Sequence, residues 1–167
     1  MKKMTSKDLV LLSLLIGLNI VLSRFLSINA WNIKIGFTFV TIYVAAYLYG
    51  PIGGVMVGGL GDFIGALLFP TGPYFPGFTL TAILTGLLFG FFLNKSKDIR
   101  KIIVICLINE LIINLLINTF WISYVYQTSY LILLSTRVIQ AFIKSIISIL
   151  IIKLFSNAMP SLERRLI

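Results

Sequence analysis

A chain of 167 residues is the size of one domain, and 59% hydrophobic against 11% charged residues, with a mean hydropathy of +1.04, excludes an ordinary water-soluble fold. The net charge of +9 raises nucleic acid as a partner, but the charges are placed wrongly for it. Ten of the fourteen Lys and Arg (Lys2, Lys3, Lys7, Lys95, Lys97, Arg100, Lys101, Lys153, Arg164 and Arg165) fall at the ends of hydrophobic segments that can share one side, the positive-inside asymmetry of a membrane protein.

The first hydrophobic segment covers 9–28. Basic residues ahead of it imitate a secretory leader, yet the apolar run meets Arg24 with no small-residue cleavage site, so it reads as a retained helix. The second, 35–49, is short of the roughly 20 residues that a bilayer needs, and Tyr49-Gly50-Pro51 closes it in a turn. The third, 52–69, is dense in glycine; Gly54-xxx-Gly58 and Gly61-xxx-Gly65 fit close helix packing, and the same glycines leave room for a flat ligand. Three prolines in 70–76 break any helix there. The fourth segment is 77–93, a basic connection occupies 94–101, and the fifth is 102–122. A polar, aromatic connection at 123–130 leads to the sixth, 131–155.

Six crossings bring both termini and 94–101 to one side, where the basic residues lie. The predicted fold is an all-α integral membrane protein, a single domain over 1–167, with six transmembrane helices and cytoplasmic N- and C-termini. Connections 29–34, 70–76 and 123–130 then face outside. They are poor in charge and rich in aromatics: Trp31, Tyr74, Phe75, Tyr124, Tyr126 and Tyr130.

The chain has no histidine, which removes the usual general base, the usual zinc ligand and every Ser–His or Cys–His nucleophile. A lone cysteine, Cys106, excludes an intrachain disulfide and a cysteine metal cluster. The glycines of 50–61 lack the Lys-Ser/Thr ending of a phosphate-cradling loop, so concentrating a substrate requires an energised partner. No catalytic residue, metal or cofactor is expected.

What stands out is a polar stripe in the fifth segment. Glu110, Asn114 and Asn118 are spaced four apart and Trp121 follows three later, along one helical face. A carboxylate at membrane depth is costly unless paired, and marks a ligand or ion pathway. The sixth segment places Arg137, Gln140 and Lys144 on one face, at i, i+3 and i+7. Asp62 lies in the outer half of the third segment, and Arg24 near the outer end of the first. Either these charges pair internally, or an anionic ligand completes them; Arg24, Arg137 and Lys144 exceed Asp62 and Glu110 by one. Such groups suit a heteroaromatic ring with an amide-like edge and an anionic tail.

Four runs carry a family likeness: Leu22-Ser23-Arg24-Phe25-Leu26-Ser27-Ile28, then Trp31-Asn32-Ile33-Lys34-Ile35-Gly36-Phe37, then Gly58-Gly59-Leu60-Gly61-Asp62-Phe63-Ile64-Gly65, and Phe69-Pro70-Thr71-Gly72-Pro73-Tyr74-Phe75-Pro76-Gly77-Phe78-Thr79. With these the chain closely resembles the folate-specific substrate-binding subunits of energy-coupling factor transporters. The resemblance implies six membrane helices, a pocket near the extracellular side and high-affinity folate binding. It also implies a complex with a transmembrane coupling subunit and two cytoplasmic ATPases, in which the binding subunit topples within the bilayer of the bacterial plasma membrane. In that family a small-xxx-small pair on the first helix contacts the coupling subunit; the matching positions here are Ser13 and Gly17, where Ala is usual. On this reading a pterin ring stacks on Trp121 or Tyr74, with Asp62, Asn114 or Asn118 at its edge. The glutamate tail meets Arg24, Arg137 or Lys144 near the outer opening, and 29–34 and 70–76, with Trp31 and Phe75, form a lid. Competing readings are a binding subunit for riboflavin, thiamine or biotin, an intramembrane enzyme using Glu110 or Asp62 as base, and a helical scaffold or small channel.

Overall fold

The computed structural model describes residues 5–30 and 33–166. Helix α1, Ser6–Arg24, begins on a capping box: the Thr5 hydroxyl accepts from the Asp8 amide while the Asp8 carboxylate accepts from the Thr5 amide at 2.7 Å. Beyond it the fold is all-α as expected, save that the connection after the first helix carries a short hairpin. Strands β1, Ile28–Ala30, and β2, Ile33–Ile35, pair antiparallel with Ile28 opposite Ile35. Isoleucines at three of the six paired positions favour extended backbone, and the first helix stops at Arg24 instead of reaching Ile28.

Helix α2, Thr38–Val55, is interrupted at Gly50, whose φ of 67° and ψ of −153° lie outside what a residue with a Cβ adopts easily. Pro51 restarts the helix immediately after. Asn94 donates to the carbonyls of Ala46 and Tyr47, both at 3.0 Å, and so supplies Tyr47 with the donor that Pro51, four residues on, lacks. Gly50→Ala is therefore expected to cost about 1–3 kcal/mol, read as a lowered thermal midpoint of the purified protein; an unchanged midpoint contradicts the assigned strain. The second half of α2 runs through a π-helical stretch, Met56–Leu60, into α3, Gly61–Leu68.

Helix α4, Pro76–Phe92, returns antiparallel to it, with Pro at its first turn where the missing N–H costs nothing. The backbones of Gly54 and Gly86 touch, and a Cβ on Gly58 would stand 2.6 Å from the Ala82 carbonyl oxygen. Only glycine permits that approach. Helix α5, Ile99–Ile108, is capped by Asp98 and continues through a nine-residue π-helical stretch, Asn109–Ile117, into α6, Asn118–Tyr126. Helix α7, Tyr130–Leu166, has 37 residues, well past the end expected at 155.

Among the described residues four helical stretches have the length and apolarity to cross a membrane: Ser6–Arg24, Thr38–Leu68, Ile99–Tyr126 and Tyr130–Arg164; Pro76–Phe92 is a shorter apolar helix. Large apolar side chains point outward along them, with Val10, Leu131 and Leu154 each about two-thirds or more exposed. This inside-out dressing is that of a helical integral membrane protein.

The two ends of the bundle differ. One is filled, with Leu12, Tyr43, Phe89, Ile102, Ile152 and Met159 buried, and is tied by polar contacts at its rim. There the Tyr49 hydroxyl donates to Asp8 at 3.1 Å, Lys95 pairs with Glu163 at 2.7 Å, and Lys153 donates to the Lys97 carbonyl at 3.0 Å. The other end, where α1, α3 and α6 finish and α4 and α7 start, is hollow.

Candidate ligand-binding cavity

That hollow is a cavity of about 530 Å³ walled by every helix except α5, by residues 71–74 and by the π-helical stretch Asn109–Ile117. Its polar groups fall into three levels. At the mouth, Arg24 Nη2 lies 3.6 Å from Asp62 Oδ1 and Nη1 donates to Thr71 at 3.0 Å. Thr79 donates to the other Asp62 oxygen at 2.8 Å, so this pair is already well partnered. Midway down, Arg137 is 5% exposed. It donates to Thr119 at 3.1 Å, its Nε is buried without a partner, and it makes no ion pair among the described residues.

The floor holds a buried ion pair. Lys144 Nζ stands 3.1 Å from Glu110 Oε2, and the Glu110 side chain is 1% exposed. Asn109 donates to Glu110 Oε1 at 3.1 Å, and Thr85 donates to Asn109 Oδ1 at 2.9 Å, so three helical elements are cross-linked at this level. The remaining oxygen, Oε2, has the Lys144 charge beside it but no hydrogen bond of good geometry.

The π-helical stretch explains how these groups converge. The Asn114 side-chain amide donates to the Asn109 carbonyl at 3.2 Å, tying the middle of that stretch to its start. A wider turn keeps four-residue steps in line, so Glu110, Asn114, Asn118 and Ile122 all face the cavity. Trp121 belongs to that face only in an unbroken α-helix of 3.6 residues per turn.

Of the residues singled out from sequence, Arg24, Asp62, Tyr74, Glu110, Asn114, Asn118, Arg137 and Lys144 line the cavity. Three do not. Trp121 and Phe75 pack on each other instead, ring centroids 5.5 Å apart, with the Trp121 ring also against Gly77. Gln140 is buried in α7 away from the lining. Trp31 lies outside the described residues. Lys144 is corrected in position: it is not near the opening but seven residues, about 10 Å of helix rise, deeper than Arg137. Ser13 and Gly17 lie away from the cavity on α1, Ser13 exposed and Gly17 with nothing within 4 Å of where a Cβ would be.

Sequence reasoning passed over Thr81, Thr85, Phe78 and Asn109, all on the lining. Thr81 and Thr85 also bond the carbonyls four residues back, a habit of threonine in any apolar helix, so they gave no signal. Asn109 was readable as a second amide beside Glu110, but in α geometry the two point about 100° apart.

Comparison with known proteins gives a consistent set of relatives. A family described as ECF transporter, substrate-specific component, matches residues 7–156. The folate transporter FolT of Clostridium novyi (strain NT) is 34% identical over 133 residues, 79% of this chain and 77% of that protein. The folate transporter FolT of Leuconostoc mesenteroides subsp. mesenteroides is 31% identical over 145 residues, 83% and 78% respectively. The crystal structure of FolT bound with folic acid superposes with a TM-score of 0.87 at 29% identity, over 92% of this chain and 95% of that one.

Proposed function

We propose that this chain, which belongs to the family of ECF transporter substrate-specific components, is the folate-capturing subunit of a vitamin uptake transporter in the cell membrane. The observation that carries the reading is the 530 Å³ cavity with a polar floor and a buried Arg137 that makes no ion pair among the described residues. A flat ring with hydrogen-bonding edges fits the floor, and a carboxylate tail supplies the missing anion. The FolT relatives and the folic acid complex support the same ligand.

The basic rim, with Lys7, Lys95, Lys97, Arg100, Lys101 and Lys153, faces the cytoplasm in this reading, and the cavity mouth faces outside. Division of Thr38–Leu68 at Gly50, with Pro76–Phe92 counted as a crossing, gives six transmembrane helices and two cytoplasmic termini in one domain of 167 residues. The pteridine lies deep, among Glu110, Asn109, Asn114 and Asn118, with Tyr74 above it; the glutamate tail points outward past Arg137 towards Arg24. The glycines of 50–61 lack the Lys-Ser/Thr ending of a phosphate-cradling loop, so inward delivery is assigned to a transmembrane coupling subunit and two cytoplasmic ATPases. Ser13 and Gly17 on the open face of α1 let a partner helix come close.

Titration of the purified protein with folate, thiamine, riboflavin and biotin, followed by intrinsic tryptophan fluorescence, tests the reading. Trp121 reports because it packs on Phe75, the neighbour of the cavity residue Tyr74. A saturable change is expected with folate alone; saturation by another of the four and not by folate overturns the assignment.

A further inference from the structure

The cavity floor presents a ligand with two unlike groups side by side. Glu110 Oε2 is an acceptor with no hydrogen bond, and Lys144 Nζ, 3.1 Å away, has donors to spare. Asn109 holds the other Glu110 oxygen and Thr85 holds Asn109, so the carboxylate is fixed in place. The Arg24–Asp62 pair at the mouth offers nothing comparable, since Asp62 takes Thr79 on one oxygen and faces Arg24 with the other. An acceptor beside a donor at this spacing matches a ring edge that carries N–H next to C=O.

We infer that the Glu110–Lys144 pair reads the lactam edge of the bound ring, Glu110 accepting the ring N–H and Lys144 donating to the adjacent carbonyl, and that it thereby selects oxo-pteridines over their amino analogues. The inference rests on the folate reading above and names the atoms that set its ring specificity.

Hydrogen-bond polarity fixes the direction of the effect. Exchange of the ring carbonyl for an amine turns a donor towards the Lys144 donors and leaves the neighbouring ring nitrogen as an acceptor facing the Glu110 acceptor. Held in the register of the oxo ring, the amino ring regains a match to the carboxylate only by taking up a proton, and then a cationic ring lies against the Lys144 ammonium. In both cases a buried group is opposed or unpaired, the circumstance in which a hydrogen-bonding site rejects an analogue most strongly. A pair that served only to tie α7 to the π-helical stretch would bind both rings alike.

The experiment measures equilibrium binding of folic acid and aminopterin, which differ at that edge, to the wild-type protein and to the Glu110→Gln/Lys144→Met double variant. The tail-less pair, pterin and diaminopteridine, is run in parallel. The wild type is expected to bind the amino member of each pair at least about thirtyfold more weakly, and the double variant to bind the two members within about threefold. Amino and oxo members binding the wild type within threefold, or discrimination surviving in a folded double variant, overturns the inference while leaving the folate reading intact. Failure of the wild type to bind folic acid at all overturns both. Where the double variant does not fold, wild-type ratios within threefold still overturn the inference, and Glu110→Gln alone, which keeps Lys144, is expected to lose the discrimination.

Discussion

Replacement of Arg137 by alanine is expected to weaken folate binding about a hundredfold and to change the affinity for tail-less pterin by less than about threefold. Arg137 is 5% exposed, spends one donor on Thr119 and makes no ion pair among the described residues. A buried cation with no carboxylate in direct contact burdens the empty protein, and a ligand carboxylate relieves that burden. The same argument gives the opposite sign for stability. Arg137→Met keeps the bulk and removes the charge, so the ligand-free variant should melt no earlier than the parent. Binding of folate and pterin to purified Arg137→Ala checks the first part, and equal losses for both ligands reject a role in holding the tail.

The second large effect concerns the floor. Lys144→Met leaves the Glu110 carboxylate, 1% exposed, with no ion pair and with Asn109 as its hydrogen-bond partner. Removal of one member of a buried pair costs about 3–5 kcal/mol, whereas replacement of both together is often close to neutral. The single variant should therefore melt well below the parent, and addition of Glu110→Gln should recover most of the loss. Melting curves of the three proteins in the same detergent decide it: a single variant as stable as the parent rules out an uncompensated carboxylate. This reads the folding contribution of the pair, separately from its choice of ring.

The sequence was informative where chemistry was unusual for its surroundings. Glu110, Asn114 and Asn118 stood out because amides and a carboxylate are rare in an apolar run, and all three line the cavity. The surplus of one buried cation was also countable in advance, and the structure attaches it to Arg137. What escaped notice depended on backbone geometry that residue spacing does not carry. A nine-residue π-helical stretch shifts the lining from Trp121 to Ile122 and brings Asn109 alongside Glu110. Lys144 shares a face with Arg137, but face alone says nothing about depth, and its carboxylate partner is on another helix. The short β1–β2 hairpin was hidden between two apolar runs, where three-residue strands leave almost no alternating pattern. Thr85 was silent because its hydroxyl is as much at home on its own helix as on Asn109.

One helix joins the cavity to the filled end of the bundle. Helix α7 has 37 residues, which at 1.5 Å per residue make about 55 Å, against roughly 30 Å of hydrocarbon. It carries Arg137 and Lys144 into the cavity, continues to the Lys153 contact with the Lys97 carbonyl, and buries Ser156 and Met159 in its last turns. The buried cation of the cavity and the lysine contact of the filled end therefore stand on one continuous backbone, so that neither end of the bundle is built from a helix of its own.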